Sequence, residues 1–259
     1  MINCLRTFLN EELSNGGQID SVYTDFEKAF DKVNHSILHS KLRAAGICGN
    51  LLRWIISYLD NRTQIVAING FLSNGITATS GVPQGTILAC TLFTIFINDL
   101  PSVLNCKNLL FADDLKIFKP IYNLSDCLSL QDDLNQLNNW CESNHLYLNI
   151  KKCKRISFTR NRALIDYDYV INNIKLERVH SIKDLGVIID TKLNFDIHIS
   201  TMVKKAYSML GFILRCTKEF KNVDALKSLY FTQVRSILEY GSQIWNPQYK
   251  KYVNKIESI

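Results

Sequence analysis

Apolar residues recur at helical spacing in several segments of the chain. Residues 38–45 and 51–59 each place their apolar side chains on one face, with Asn34 a fitting N-cap and Gly46 a fitting stop for the first segment. The almost continuous apolar run at 87–97 is too short to cross a membrane and predicts a buried helix. Leu130, Leu134, Leu137 and Cys141 mark another amphipathic helix.

Between these helices the pattern changes to short apolar runs bounded by turn residues. Residues 20–26 predict a buried strand, and 109–118 predict two strands joined by a tight turn. Asn69-Gly70 and Asn74-Gly75 predict turns between β-rich runs. Further strands are predicted at 146–148, 155–158, 167–171, 174–176 and 185–189. From about residue 197 the pattern is helical, so the chain is α+β to about residue 190 with a helical unit after it.

Charge divides the chain in a similar place. Residues 1–150 hold 10 Lys and Arg against 14 Asp and Glu, whereas residues 151–259 hold 20 against 10. An acidic first half and a basic second half indicate an acidic site beside a surface for a polyanion, although solvated surface charge is an equal alternative. The eight cysteines form no C-x-x-C pair. Reduced thiols in an intracellular protein are therefore expected.

The stretch LLFADDLKIF, residues 109–118, places two adjacent carboxylates inside an apolar hairpin. Asp113-Asp114 is a poor pair for a two-residue turn, and the two like charges repel each other. A divalent cation would resolve both problems, because Mg²⁺ prefers hard oxygen ligands. Asp25, at the end of the first predicted strand, could supply a third carboxylate if the strands pack antiparallel. The alternative on these residues alone is a solvated turn.

Five segments in order carry a family resemblance. They are VYTDFEKAFDKVNHSIL, SGVPQGTILACTLFTIFINDLP, LLFADDLKIF, LYLNIKKCKRISF and IKDLGVIIDTKLNFDIHI. Together they resemble the successive palm motifs of reverse transcriptases, specifically those of non-LTR, jockey-like retrotransposons. The resemblance implies a polymerase palm, an antiparallel ferredoxin- or RRM-like sheet backed by helices, over residues 1–190. A helical thumb over 191–259 is expected to follow it.

The resemblance also assigns catalytic roles. Asp25, Asp113 and Asp114 match the catalytic carboxylates, which together with the Phe26 carbonyl would hold two Mg²⁺ ions, or Mn²⁺ in their place. Lys152 matches the lysine that protonates the departing pyrophosphate. Lys151 is adjacent, so the sequence leaves the choice between these two lysines open, and a solvated lysine is the alternative.

Further positions match the nucleotide site. Phe30 lies at the position of the steric gate that excludes a ribose 2′-OH, and plain core packing is its alternative. Gln84 and Gly85 in SGVPQG match the loop that contacts nucleotide and template, for which an ordinary turn before a helix is the alternative. Asp31, His35 and Asp99 also match motif positions and are interpreted as capping or structural residues.

The resemblance places nucleic-acid contacts in the last third of the chain. Leu185, Gly186 and Val187 resemble the primer-grip hairpin, although the family often has Tyr where this chain has Leu185. The expected phosphate contacts of the thumb are Lys204, Lys205, Arg215 and Lys218. The implied partners are an RNA template, a DNA primer and deoxynucleoside triphosphates, with no membrane.

The segment before Asp25 is short for this family. Only 24 residues precede Asp25, so the fingers that grip the triphosphate are expected to be largely missing and the chain resembles an N-terminally truncated fragment. Two functions follow. One is RNA-directed DNA polymerisation; the alternative is a catalytically silent remnant that binds nucleic acid through its basic thumb.

Overall fold

The computed structural model describes residues 2–161, 163–247 and 249–259, with side chains from residue 5 onward. The strands are β1 Gln18–Tyr23, β2 Thr63–Gln64, β3 Ala67–Ile68, β4 Phe71–Leu72, β5 Ile76–Thr77, β6 Lys107–Phe111, β7 Asp114–Ile121, β8 Lys154–Thr159, β9 Val170–Ile171, β10 Ile174–Lys175, β11 Glu177–Arg178, β12 Ser181–Asp184 and β13 Val187–Asp190. The helices are α1 Ile2–Ser14, α2 His35–Ala44, α3 Gly49–Leu59, α4 Ile87–Ile97, α5 Leu124–Asn144, α6 Asp196–Cys216, α7 Val223–Leu229, α8 Ser236–Glu239, α9 Ser242–Trp245 and α10 Lys250–Glu257. A 3₁₀-helix covers Leu100–Val103, and a π-helical turn covers Tyr230–Arg235.

The chain forms two compact units. The first, here called the sheet unit, comprises Ile19–Arg155 and Ala163–Arg178. The second, the helical unit, comprises Met1–Gln18, Ile156–Arg162 and Val179–Ile259. The helical unit thus includes α1 and the β12–β13 hairpin as well as the C-terminal helices. The division into palm and thumb at residue 190 stays a prediction.

The central sheet has the strand order β11–β8–β1–β7–β6. β6 and β7 pair antiparallel, from Lys107 opposite Phe118 to Phe111 opposite Asp114. Apolar side chains of α2, α4, α5 and the central strands form one buried core in the sheet unit. The prediction of an α+β architecture is confirmed by these elements. The predicted sheet is antiparallel, whereas β11 pairs with β8 in parallel.

Local sequence signals account for the helix starts. Asn34 caps α2 by accepting a hydrogen bond from the Ile37 N–H at 3.1 Å, and Thr86 caps α4 by accepting one from the Ala89 N–H at 3.2 Å. Both caps satisfy backbone donors that a helix leaves open at its first turn. The run at 87–97 is the buried helix that its composition predicts. No described helix is long and apolar enough to span a bilayer.

Residues 146–148 depart from the predicted pattern. Instead of a strand, the structure has only an isolated antiparallel bridge between Phe26 and Leu148. The run is too short to form a ladder, and the turn at 149–153 begins directly after it. This bridge nevertheless connects the end of β1 to the segment that carries Lys152.

Asp133 is a buried carboxylate that fixes the start of β6. It lies on α5 and is fully buried, with its oxygens accepting from the backbone N–H groups of Asn105 and Cys106 and from the Asn105 side-chain amide. These bonds hold the residues just before β6, the strand that leads into the Asp113 turn. A carboxylate on the apolar face of a predicted helix is the signal that could have identified it.

We expect Asp133→Ala to lower the free energy of unfolding by about 3 kcal/mol, because the buried Cys106 N–H and the Asn105 N–H both lose their acceptor. Equilibrium urea unfolding measures the change. Asp132→Ala is the matched control, since Asp132 is the exposed neighbour and its replacement should cost less than about 0.5 kcal/mol. Equal losses in both variants would contradict the role given to Asp133.

Candidate active site

Asp25 lies two residues after the end of β1, and Asp114 is the first residue of the neighbouring strand β7. The Thr24 N–H and hydroxyl both donate to the Leu115 carbonyl, at 3.0 and 3.1 Å. The Lys116 ammonium lies 5.6 Å from the centre of the Tyr23 ring. Position numbers therefore fall along β1 while they rise along β7, which indicates antiparallel pairing. The next cross-strand neighbours in this register are Asp25 and Asp114.

Asp113 lies in the turn between β6 and β7. Because Phe111 pairs with Asp114, the two turn residues are Ala112 and Asp113 rather than Asp113 and Asp114. Ala112 has a φ of +52°, whereas the φ of Asp113 is not positive. Positive φ at the first turn residue alone is the sign pattern of a type II′ turn, where glycine is usual. Asp113 therefore follows a strained alanine at the end of the sheet, and Asp114 is the first residue of β7.

The Phe26 carbonyl points toward the same edge. The Asn149 N–H donates to the Asp25 carbonyl at 2.8 Å and the Glu27 N–H donates to the Tyr147 carbonyl at 2.9 Å. These two bonds flank Phe26 on one side of the strand. Successive backbone groups of an extended segment alternate in direction, so the Phe26 carbonyl faces the opposite side, toward β7. This part of the sheet unit, here called the carboxylate edge, thus contains Asp25, Asp113, Asp114 and the Phe26 carbonyl.

This donor set has the chemistry that Mg²⁺ prefers, because it consists only of oxygens. In the part of the chain that the structure describes, however, no three acidic, His or Cys side chains are gathered closely enough to hold a metal ion. Asp25 is partly exposed and contacts a lysine instead. The donors fit the ion in type, and convergence of their side chains would have to accompany its binding.

Lys152 is the lysine in contact with this edge. Its ammonium lies 3.4 Å from the Asp25 Oδ2 atom, whereas the Lys151 carbonyl accepts a bond from Lys154. Burial raises the pKa of the adjacent Cys153 thiol, so that thiol stays neutral beside Asp25. The structure thus places the Lys152 ammonium beside Asp25, and the choice of Lys152 over Lys151 as the motif lysine stays a prediction.

Phe30 is half-buried and stacks on Phe93 of α4, with ring centroids 4.4 Å apart. Its carbonyl accepts from the Val82 N–H at 2.8 Å, which connects it to the SGVPQG loop. The ring is thus partly in the core and partly accessible to solvent. This placement is compatible both with core packing and with the predicted steric gate.

The SGVPQG loop is fastened to the segment after Phe30. The Gly81 N–H donates to the Val33 carbonyl at 2.8 Å, and the Gln84 amide donates to the Asp31 carboxylate at 2.9 Å. The His35 Nε2 atom lies 2.8 Å from the Gly81 carbonyl. These bonds give Asp31 and His35 the structural roles expected of them. Gln84 and Gly85 are exposed.

Asp99 also has a structural environment. It accepts from Lys41 at 2.7 Å and from the Trp140 indole at 3.2 Å. Burial lowers the pKa of Lys41, and the bond to Asp99 counteracts this shift. These contacts join α2, α5 and the end of α4, away from the carboxylate edge.

Lys116 is a residue that sequence reasoning missed. It lies two positions after Asp114, on the same face of β7, and only 2% of it is exposed. Its ammonium lies over the Tyr23 ring of β1, 5.6 Å from the ring centre. The signal was a lysine between Leu115 and Ile117, where the apolar run is broken.

The predicted primer-grip residues lie in the helical unit. Leu185 and Gly186, with φ of +41° and +89°, form the two-residue turn between β12 and β13. The Tyr240 hydroxyl donates to the Leu185 carbonyl at 2.8 Å. Val187 is buried, so its side chain is not available to a ligand. The predicted thumb cations Lys204, Lys205, Arg215 and Lys218 are all exposed, the first three on α6 and Lys218 just after it.

Comparison with known proteins identifies the family. A family model described as reverse transcriptase (RNA-dependent DNA polymerase) matches residues 14–214. The chain belongs to the reverse transcriptase family. The matched region contains the whole carboxylate edge, Lys152, the SGVPQG loop and the β12–β13 hairpin.

Curated relatives narrow the resemblance. The RNA-directed DNA polymerase from mobile element jockey of Drosophila melanogaster is 26% identical over 97% of this chain. The probable RNA-directed DNA polymerase from transposon BS of the same species is 27% identical over 98% of it. The chain spans only 28% and 29% of these two relatives. The resemblance to reverse transcriptases of non-LTR, jockey-like retrotransposons is thereby confirmed.

Solved structures show the same fold at low identity. Telomerase from Candida tropicalis, in complex with a fragment of telomeric RNA, superposes with a TM-score of 0.53 at 14% identity, covering 99% of this chain and 45% of that one. The apo telomerase of that species gives 0.52 at 13% identity, covering 98% and 48%. At this identity the likeness supports the palm-type fold alone.

The two glycines of the SGVPQG loop differ in what surrounds them. Both have left-handed φ, +83° for Gly81 and +84° for Gly85. A Cβ on Gly81 would lie 2.6 Å from the Asp31 carbonyl oxygen, whereas one on Gly85 would meet nothing within 4 Å. Only Gly81 therefore approaches another part of the backbone closely.

We expect Gly85→Ala to cost about 1 kcal/mol of unfolding free energy, from backbone strain alone. Gly81→Ala should cost at least about 3 kcal/mol, because a clash with backbone adds to the same strain. Urea unfolding of the two variants compares them directly. If both cost the same, the contact between the loop and Asp31 does not constrain Gly81.

Proposed function

We propose that this chain is the palm and thumb of an RNA-directed DNA polymerase. It would add deoxynucleotides to a primer 3′-OH, directed by an RNA template, by phosphoryl transfer with two Mg²⁺ ions. The observation that carries this proposal is the β1–β7 register, which sets Asp25 next to Asp114 and beside the Asp113 turn. Membership of the family, whose members generally use divalent metal ions, supports the same assignment.

The carboxylate edge would hold the ions through Asp25, Asp113, Asp114 and the Phe26 carbonyl. When bound, such ions lower the pKa of the attacking hydroxyl and stabilise the leaving oxygen. The protein's own contribution is rigidity: the Asp25 carbonyl accepts from the Asn149 N–H, and the preceding residue, Thr24, donates its N–H to the Leu115 carbonyl. Positioning of this kind supplies much of the rate of phosphoryl transfer.

Lys152 would deliver a proton to the departing pyrophosphate. Its ammonium is already at the edge, 3.4 Å from Asp25, and is well exposed, so it can turn toward a substrate. Gln84 and Gly85 would contact the nucleotide and template from an exposed loop. The β12–β13 turn and the α6 cations would hold the primer and its template. The cations would contact the phosphates, which carry no sequence information.

An intracellular setting fits the cysteines. Seven of them in the described residues are free thiols. Disulfide-free cysteines are usual in a reducing compartment.

A catalytically silent nucleic-acid binder is the second candidate. The observation that favours it is the lack of a gathered metal site in the described residues. Thermal denaturation distinguishes the two: a polymerase should be stabilised by a deoxynucleoside triphosphate matching the template only when Mg²⁺ is present. A silent binder should be stabilised by duplex alone.

We expect Asp113→Asn to reduce primer extension on an RNA template by at least about 1,000-fold, because an amide cannot replace a carboxylate in charge neutralisation of the ions. Incorporation of labelled deoxynucleotide with Mg²⁺ or Mn²⁺ measures the rate. Asp132→Asn, an exposed carboxylate on α5, is the control and should extend at the normal rate. Undiminished extension by the Asp113 variant would refute its assignment.

We expect Phe30→Val to reduce the discrimination against ribonucleotides by about 10-fold or more, since the ring that would meet the 2′-OH is removed. The ratio of kcat/KM for deoxy- and ribonucleotide measures this. Phe30→Tyr keeps the ring and should retain the preference. If Phe30 is only a core residue, Phe30→Val lowers the melting temperature and leaves the ratio unchanged.

A further inference from the structure

The helical unit contains a basic cavity of about 530 Å³. Three cationic side chains line it, Arg6 from α1, Arg160 from the end of β8 and Lys192 from the loop after β13. Its described lining includes no acidic residue. None of the four exposed cations on α6 or just after it, which the family resemblance assigns to the thumb, belongs to this lining.

Backbone contacts bring two of these cations together. The Thr159 N–H donates to the Thr191 carbonyl at 3.2 Å. Arg160 and Lys192 are the residues that come immediately after this hydrogen-bonded pair in the sequence. Arg6 donates through its guanidinium to the Gln243 carbonyl. The three charges are therefore placed by the fold, although they come from distant points in the sequence.

The loop that carries Lys192 is rigid. The Asp190 carboxylate accepts from the backbone N–H groups of Lys192, Asn194 and Phe195, at 2.9, 3.0 and 2.8 Å. The nearest acidic group along the chain is thus engaged by the backbone. Asp196, the next one, bonds to the Tyr252 hydroxyl. Neither carboxylate pairs with a cation of the cavity.

The positive charge of the cavity is not neutralised internally. No carboxylate of the described chain forms an ion pair with Arg6, Arg160 or Lys192. Like charges placed together without counter-charges attract a polyanion. A volume of about 530 Å³ is also within the usual range of ligand pockets and is more than a single small ion fills.

The remaining lining suits a base and a sugar. Tyr249 is 71% exposed and lies at the cavity, where its ring face can stack. Asn10, Asn194 and Asn246 supply amide donors and acceptors. Cations with an accessible aromatic ring are the combination that binds single-stranded nucleic acid, since phosphates meet the cations and a base stacks on the ring.

We propose that this cavity binds a segment of single-stranded nucleic acid, with Arg160 and Lys192 on its phosphates and Tyr249 stacked on a base. Its lining shares no residue with the carboxylate edge and includes none of the α6 cations. The proposal does not depend on polymerase activity, because every residue in it belongs to the helical unit.

The first test measures binding of a fluorescently labelled single-stranded RNA of about 10 nucleotides to the full chain, without divalent metal. Arg160→Gln/Lys192→Gln should weaken binding about 10-fold at 0.1 M salt and lower the slope of log K against log salt by about 1.4. The control is Arg43→Gln/Arg53→Gln, which removes two exposed charges from α2 and α3. It should leave both quantities nearly unchanged.

The second test separates stacking from charge. Tyr249→Ala should weaken binding about 10-fold, whereas Tyr249→Phe should bind normally. Inorganic phosphate and a nucleoside monophosphate, added at the concentration of the RNA, should leave the RNA bound. If either compound displaced the RNA at that concentration, the cavity would be a site for a small anion and the proposal would be overturned.

The proposal is also overturned if the Arg160/Lys192 variant binds RNA as the unaltered chain does, or if the Arg43/Arg53 control loses as much. Melting temperatures of all variants establish that they fold. Should the double variant melt early, Lys192→Gln alone gives the same comparison with about half the change in slope.

Discussion

The backbone pairing of Thr24 with Leu115 is the contact on which the candidate site depends. It sets the register of β1 against β7, and through that register Asp25 becomes the neighbour of Asp114. A shift of one residue would turn every side chain of β1 to the other face of the sheet. All six residues of β1 are buried, and Val22 belongs to the core of the sheet unit, so such a shift would be costly. The apolar core thus determines the position of the charged groups.

The turn at Ala112–Asp113 concentrates strain at the same point. A residue with a Cβ occupies the positive φ that glycine would adopt more easily. The strands on both sides hold the turn in this state, β6 through the Asp133 bonds before it and β7 through β1. Local strain maintained by a rigid surrounding structure is common at functional sites. Lys152 supplies positive charge at this point, with its ammonium 3.4 Å from the Asp25 Oδ2 atom.

The two units carry different chemistry. The sheet unit carries Asp25 just after β1, Asp113 just before β7 and Asp114 at the start of β7, whereas the helical unit exposes cations on α6 and around the cavity of Arg6, Arg160 and Lys192. This agrees with the acidic first half and basic second half of the sequence. The agreement is incomplete, because Arg6 and α1 come from the acidic half and fold into the helical unit. Charge summed along the chain therefore indicates that a basic surface exists, but it does not say which residues form that surface.

The sequence by itself determined the helices at 35–44, 49–59 and 87–97, and the β6–β7 hairpin, because periodicity and caps are local properties. The ordered motifs determined the family. Only the tertiary structure decided the one-residue position of the turn, the contact of Lys152 with Asp25, and the backbone bonds of Asp133. It alone brought Arg160 next to Lys192. These depend on strand register and on contacts between distant segments, which no local pattern specifies.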